Sequence, residues 1–165
     1  MSRLVLLLLV PLVVGCAAVS AVPRPPSAPS PGVSAMGSAP ARPAVVAAAA
    51  LRDWDARRAD AWSRGSVLAL RALYAPGSVA GAADVAMLRA WRRRGLRVDR
   101  LTTQLLAVRV LGSGPGRYRL RVRDRVVGGA AVGNGVHEGL GRGRIRSEVV
   151  TLVRRNGTWL VASAT

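Results

Sequence analysis

The sequence predicts an α+β fold in which helices come first in the chain and a run of antiparallel strands follows. Three observations support this prediction. Apolar side chains recur at helical spacing over residues 44–94, and after Gly95 the repeat shortens to two residues. Asn156-Gly157 is typical of a two-residue turn between antiparallel strands. We therefore expect one folded domain over residues 44–165, with the helices packed on a sheet.

Three helices are predicted in the first half of this domain. The first covers residues 44–63 and ends before Gly65, because glycine commonly stops helices. Ser66 can cap a short second helix that reaches Tyr74, and residues 82–94 form the third. The two long helices each have one apolar stripe. The stripe residues are Leu51, Trp54, Ala61 and Trp62 in the first helix and Val85, Leu88 and Trp91 in the third.

Four strands are predicted after Gly95. A loop at residues 112–116 separates the first two, and Asn156-Gly157 joins the last two. Residues 128–141 are rich in glycine, hold the chain's single histidine, His137, and are expected to form an exposed connection between the second and third strands. The predicted strands cover residues 97–111, 117–127, 142–155 and 158–163.

The first fifteen residues predict a signal peptide. Arg3 gives a positive start, and residues 4–14 form an apolar run shorter than the roughly 20 residues of a membrane-spanning helix. Val13-Val14-Gly15-Cys16 resembles the bacterial lipobox, which implies cleavage between Gly15 and Cys16 and a lipid on the Cys16 thiol. The alternatives are ordinary secretion, with cleavage after Val19-Ser20-Ala21, and a membrane anchor that is not cleaved.

Residues 16–43 predict a disordered tether behind that lipid. Seven of the ten prolines lie between Pro23 and Pro43, among alanine, serine and glycine, and such a segment cannot bury a core. A proline motif that binds a partner is the alternative. The predicted location is therefore the extracytoplasmic face of the cell membrane, held by the lipid anchor.

The charge of the chain is +17, and all 25 basic residues are arginine. Nucleic acid is not expected as a partner, because an exported protein rarely meets it and no recognition helix is evident. Arginine occupies every second position of the second predicted strand, and the pattern repeats on the third. These residues predict one cationic sheet face, which contacts either an anionic surface or only solvent. They are Arg117, Arg119, Arg121, Arg123, Arg125, Arg142, Arg144 and Arg146.

Two segments carry a resemblance to a known superfamily. They are SVLALRALYAPGS at residues 66–78 and VVTLVRRNGTWLV at residues 149–161. In order and position they resemble the short helix and the final hairpin of the nuclear transport factor two-like superfamily, which includes ketosteroid isomerase and the SnoaL-like cyclases. The resemblance implies a curved sheet around helices, forming a cone with a pocket. The aromatic residues that could line it are Trp54, Trp62, Tyr74, Trp91 and Trp159.

No catalytic signature, metal site or cofactor site is evident in the sequence. One cysteine excludes an intramolecular disulfide, His137-Glu138 is expected in an exposed loop, and Asp55, Arg58 and Asp60 are expected to form surface ion pairs. We therefore expect a non-catalytic module that binds a protein or an apolar small molecule, with a homodimer left open. The alternative is a small pocket enzyme, an isomerase or cyclase, that uses one buried carboxylate such as Asp99.

Overall fold

The computed structural model describes residues 42–165, so the predicted signal peptide, Cys16 and nearly all of the predicted tether lie outside the described residues. Three helices precede five strands, and the sheet is antiparallel. The helices are α1 (Arg42–Ser63), α2 (Val67–Arg71) and α3 (Val79–Arg93). The strands are β1 (Arg97–Gly114), β2 (Arg117–Gly133), β3 (Val136–Gly139), β4 (Arg146–Arg155) and β5 (Thr158–Ala164). The α+β fold predicted from the sequence is confirmed.

Serine side chains set the starts of the two later helices. The Ser66 hydroxyl accepts from the Ala69 backbone N–H, and the Ser78 hydroxyl accepts from the Gly81 backbone N–H, both at 3.2 Å. Because Ser78 is the cap, α3 begins at Val79, three residues earlier than predicted. No helix described in residues 42–165 is long and apolar enough to span a membrane.

The second helix is shorter than predicted because the chain after it joins the sheet edge. α2 ends at Arg71, and Tyr74 forms a single parallel bridge with Val161 of β5. The Val161 backbone N–H donates to the Leu73 carbonyl, and the Ala75 N–H donates to the Val161 carbonyl, both at 3.0 Å. These bonds fix the segment around Tyr74 against the last strand.

The sheet has the order β1-β2-β4-β5, with β3 beside the far end of β2. The predicted connection at residues 128–141 is wrong in part, because β2 continues to Gly133 and β3 returns along it. Asn134 and Gly135 form the turn between them, with φ of 53° and 77°. The same Asn-Gly signal that predicted the last hairpin was therefore present here as well.

Irregular pairing bends the two longest strands. The register of β1 on β2 shifts between Asp99 and Thr102, where Arg100 has φ of 49°, and Gly129 in the facing strand has φ of 136°. Such bulges increase the bend and twist of a strand. The result is a curved sheet that wraps onto the helices, chiefly through contacts between α1 and β1.

Two apolar clusters form the core between the helices and the sheet. Members of the first include Trp62, Leu70, Leu88 and Val98, and members of the second include Ala47, Leu51, Leu120, Leu152 and Val161. Trp54 and Tyr74 pack against both clusters, with their rings edge to face at 5.5 Å between centroids. The apolar stripes predicted for the long helices are thus turned toward the core.

Candidate functional site

The helices and the inner face of the sheet line an open pocket of about 510 Å³. Small side chains on α1 and α3 leave this space, because leucine or phenylalanine at the same positions would fill much of it. These small residues are Ala56, Ala59, Ala80 and Ala83. The larger apolar walls are Leu51, Trp54, Met87, Leu101, Leu105, Val122, Val150 and Val161.

A buried ion pair forms part of the pocket wall. Arg58 on α1 donates from Nε and Nη2 to the two carboxylate oxygens of Asp84 on α3, and both distances are 2.7 Å. The Tyr74 hydroxyl donates to Asp84 at 2.7 Å, and the Trp62 indole N–H donates to it at 3.3 Å. The side chains of Arg58 and Asp84 are 4% and 6% exposed. Asp84 therefore receives four hydrogen bonds in a place that water barely reaches.

Arg58 and Tyr74 in this cluster both keep their protons near neutral pH. Burial alone would lower the pKa of Arg58, but the charge and hydrogen bonds of Asp84 outweigh it and raise that pKa. Burial raises the pKa of Tyr74, and the Arg58 charge only partly opposes the rise. Near neutral pH Arg58 is therefore charged and the Tyr74 hydroxyl is protonated. The cluster joins α1, α3 and the segment after α2.

Asp55 is one group in the pocket that is suited to accept a proton or a hydrogen bond. It lies one turn before Arg58 on α1 and is half-buried. Burial raises the pKa of the Asp55 carboxyl, while the Arg58 charge and a hydrogen bond with Thr103 act in the opposite direction. A carboxyl group with a raised pKa in an apolar pocket can accept a proton, or a hydrogen bond from a bound molecule.

A second set of charges lies where β2 and β4 pair. Asp124 is opposite Arg146 in the register, and Arg146 reaches Asp124 at 3.9 Å and Glu148 at 3.6 Å. These three side chains are 24% to 32% exposed, so water partly screens them. Burial raises the pKa of Asp124, and the charges of Arg146 and Arg58 oppose that rise.

The pocket differs in charge from the rest of the chain. Its lining holds four of the eight acidic residues and only three of the 25 arginines, a net charge of −1 in a chain of +17. The four acids are Asp55, Asp84, Asp124 and Glu148, and the three arginines are Arg52, Arg58 and Arg146. The pocket therefore suits a neutral or cationic polar group better than an anion.

The aromatic residues predicted to line the pocket fall into two groups. Trp54 and Tyr74 do line it. Trp62 and Trp91 pack edge to face in the first core cluster, at 6.0 Å between centroids. Trp159 lies against Tyr118 in the second cluster, at 5.0 Å. A part for any of them in ligand binding stays a prediction.

The arginines of β2 share one sheet face. The three arginines that were predicted to continue this face on the following strand do not do so. The intervening residues of β2 turn inward, among them Leu120, Val122 and Val126 in the core clusters. Arg142 and Arg144 are exposed but precede β4, which begins at Arg146. The prediction is wrong for Arg146, because the register pairs it with Asp124 and so turns it to the pocket side. The five β2 arginines are Arg117, Arg119, Arg121, Arg123 and Arg125.

The remaining acid–base candidates lie away from the pocket. Asp99 is 42% exposed at the side chain and contacts Arg100 at 3.5 Å, so it is not a carboxylate inside the cone. His137 and Glu138 are exposed on β3, where a strand replaces the expected loop. Within residues 42–165 no group of three or more His, Cys, Asp or Glu side chains could hold a metal ion.

Asp55, Arg58 and Asp84 are among the site residues that the sequence prediction missed, since Asp55 was expected in a surface ion pair and is half-buried in the pocket wall. The expectation of surface ion pairs holds for Asp60, which pairs with Arg64, but is wrong for Arg58. A signal was present, since Arg58 lies four residues after Trp54 and four before Trp62 on the apolar stripe of α1. Asp84 likewise lies four residues before Leu88, which belongs to the apolar stripe of α3. A charged residue inside an apolar stripe needs a buried partner.

Comparison with known proteins supports the fold and leaves the activity undetermined. No protein-family model matches the chain, and no curated protein matches it in sequence. Among solved structures, the intermembrane space region of the chloroplast protein ARC6 is similar, with a TM-score of 0.53, 11% identity, and coverage of 74% of this chain and 94% of that one.

Two bacterial structures are similar to the same extent. A protein of unknown function from Mycobacterium tuberculosis has a TM-score of 0.51, 12% identity, and coverage of 76% of this chain and 73% of that one. Aln2 from a Streptomyces species has a TM-score of 0.50, 16% identity, and coverage of 73% and 88%. At these identities the likeness is one of fold. The described residues share with these proteins a fold of helices packed on a curved antiparallel sheet, the arrangement that the sequence resemblance implied.

Proposed function

We propose that this chain is a lipid-anchored, extracytoplasmic binding protein whose pocket takes a small, mainly apolar molecule. The molecule carries a neutral hydrogen-bond donor or a cationic group that contacts Asp55. The observation that carries this proposal is the pocket itself, which is open, has apolar walls and holds a carboxyl group with a raised pKa. Pockets of this kind combine apolar area for affinity with a few polar groups for orientation.

The polar features of the pocket favour a donor on the ligand. Asp84 already receives four hydrogen bonds, so it has little capacity left for a ligand. Asp55 is a half-buried acceptor on the pocket wall, and the groups that stabilise its charge are Arg58 and Thr103. A ligand donor would offset part of the cost of burying this carboxylate.

Filling the pocket tests the binding proposal. Ala59→Phe with Ala83→Phe places two rings in the space, whereas Ala82→Phe with Ala86→Phe adds the same rings at exposed positions of α3. The probe is phenylnaphthylamine, an apolar dye with one N–H donor that fluoresces more strongly outside water. We expect the first variant to weaken dye binding at least about tenfold, which is about 1.4 kcal/mol, and the second to leave it unchanged. Equal dye binding by both variants would contradict a pocket site.

The anchor is tested separately at Cys16. The support for it is the lipobox-like Val13-Val14-Gly15-Cys16 sequence after a short apolar run. A Cys16→Ala variant should take up no labelled palmitate and should leave the membrane fraction or remain unprocessed. Labelling and fractionation like those of the unmodified chain would show that the anchor assignment is wrong. This result is independent of dye binding.

The second candidate function is a proton-transfer enzyme that uses Asp55 as its base. The raised pKa of Asp55 favours it, because a base works best when its pKa approaches the working pH. The assay is deuterium exchange at the carbon beside the carbonyl of a cyclic ketone, followed by NMR. We expect Asp55→Asn to abolish the exchange and Asp53→Asn, on the exposed side of α1, to retain it. Absence of exchange by the unmodified chain would leave the binding function alone.

A further inference from the structure

The outer face of the sheet carries a row of arginines with no acidic residue among them. Arg117, Arg119, Arg121, Arg123 and Arg125 follow one another along β2, and Arg109 of β1 lies opposite Arg121 in the register. We call these six residues the arginine row. Alternate residues of a strand are about 7 Å apart, so the five on β2 extend over about 27 Å.

The acids of the described residues are elsewhere. Four line the pocket, and Asp53 and Asp60 pair with arginines of their own helix region. Asp99 and Glu138 lie beside the far end of β2, opposite Ala130 and Ala131. Within residues 42–165 no member of the arginine row forms an ion pair, and Arg125 donates to the Gln104 side chain at 2.9 Å.

This arrangement has an energetic cost without an anionic partner. Neighbours about 7 Å apart lie within the Debye length of about 8 Å at physiological salt, so their repulsion is only partly screened. Like charges opposite each other on paired strands, as at Arg109 and Arg121, are also unfavourable. A surface with many negative charges removes this cost. A second copy of the chain placed face to face would double it instead.

We propose that the arginine row docks the domain on anionic lipid headgroups. A guanidinium group binds a phosphate with two parallel hydrogen bonds, and a row of six matches an extended anionic surface better than a single small anion. The location rests on the proposed anchoring at Cys16. No chain of 25 residues, the number between Cys16 and Arg42, can span more than about 90 Å, so an anchor at Cys16 would keep the domain within reach of the bilayer. Docking itself does not require the lipid.

The charge and the strand geometry of the arginine row favour lipid headgroups over nucleic acid. Single-stranded nucleic acid is usually bound by basic grooves in which aromatic side chains alternate with the charges. The β2 residues between the arginines lie on the opposite, inner face of the sheet. The β4 residues paired with Arg119 and Arg121 are Thr151 and Val149, and neither is aromatic. The row therefore offers charge without stacking surfaces, which suits headgroup phosphates.

Binding to vesicles tests the proposal. The chain from residue 16 onward is used with Cys16→Ser, so that neither the leader nor a lipid contributes, and every core residue named above lies at or after Ala47. We expect it to sediment with vesicles of phosphatidylglycerol and phosphatidylcholine, to ignore pure phosphatidylcholine, and to bind less at higher salt. No sedimentation with the anionic vesicles would overturn the proposal, whatever the outcome at Cys16.

Two charge-matched variants locate the contact. One replaces three arginines of the row and the other replaces three exposed helix arginines, so both lose the same charge. The row variant should bind the anionic vesicles about 100-fold more weakly, because each arginine near such a surface adds about a fivefold factor. The helix variant should change binding by less than about threefold. The variants are Arg119→Gln, Arg121→Gln and Arg123→Gln, against Arg71→Gln, Arg89→Gln and Arg93→Gln.

Other outcomes contradict the arginine row as the docking face. Equal losses in the two triple variants would mean that only net charge matters. Binding of duplex DNA at the same phosphate concentration, with no binding to vesicles, would assign the row to a nucleic acid. A further pair, Arg109→Gln with Arg117→Gln, should weaken vesicle binding about 30-fold, and its failure to do so would also overturn the proposal.

Discussion

Replacing Asp84 with asparagine should destabilise the fold more than almost any other isosteric change. The carboxylate receives two hydrogen bonds from Arg58 and one each from Tyr74 and Trp62. Asp84→Asn keeps the shape but leaves the Arg58 guanidinium, whose side chain is 4% exposed, as an uncompensated buried charge. Breaking a buried pair in this way costs about 3–5 kcal/mol.

The expected loss in free energy of unfolding is measurable because a domain of this size should remain folded after it. About 120 folded residues correspond to a free energy of unfolding of about 6–18 kcal/mol. The loss should lower the melting temperature by about 10–20 °C, since 1 kcal/mol shifts Tm by about 3–5 °C at this size. Urea unfolding followed by circular dichroism gives the free energy directly.

A second substitution separates the ion pair from simple packing. Adding Arg58→Met to Asp84→Asn removes the stranded charge. The amide oxygen can still accept from the Trp62 indole N–H, and the amide NH2, at the position of the other carboxylate oxygen, can donate to the Tyr74 hydroxyl oxygen. We expect the double variant to be about 2 kcal/mol more stable than Asp84→Asn alone. If the two losses instead add, or if Asp84→Asn costs less than about 1 kcal/mol, the buried-charge reasoning is refuted.

Two further predictions concern the pocket and its frame. Burial raises the pKa of Asp55 in the folded state, so the fold is penalised above that pKa, and the penalty disappears once the pH falls below the ordinary value of 3.8. Asp55→Asn should therefore stabilise the domain at pH 7 and lose this advantage toward pH 4 in urea unfolding; an equal effect at both pH values would contradict it. Gly81→Ala places a Cβ 2.5 Å from the Tyr74 ring and should cost about 1–3 kcal/mol, whereas Gly112→Ala, with open space around it, should cost less in the same assay. Equal losses would show that Gly81 is not confined by Tyr74.

The sequence predicted the elements better than the site. Helix and strand order, the Ser66 cap and the last hairpin turn depend on local patterns, and they are found where expected. The β2–β3 hairpin differs from the prediction because the glycine-rich composition of residues 128–141 is typical of a loop, although Asn134-Gly135 is the same turn signal as Asn156-Gly157. In the site, Trp54 and Tyr74 lie where the resemblance implied.

Arg146 shows why a pattern of charges is not enough to assign a face. Its position was grouped with the β2 arginines because every second residue is basic. Along β4, however, Arg146 alternates in step with Val150 and Leu152, which are core residues. Strand pairing places it opposite Asp124, and a shift of one residue in that register would have turned it to the other face.

What the sequence determined by itself is the order of the elements and the row of β2 arginines on one face, because helix and strand periods are local properties of the chain. Only the tertiary structure decided the pocket chemistry. Arg58 and Asp84 are 26 residues apart and meet because the Arg58 side chain of α1 reaches the Asp84 carboxylate of α3 in the folded domain. Asp55 acquires its raised pKa from burial, a property that no local pattern of residues contains. The physical reason is that burial and pairing of charges depend on which surfaces meet.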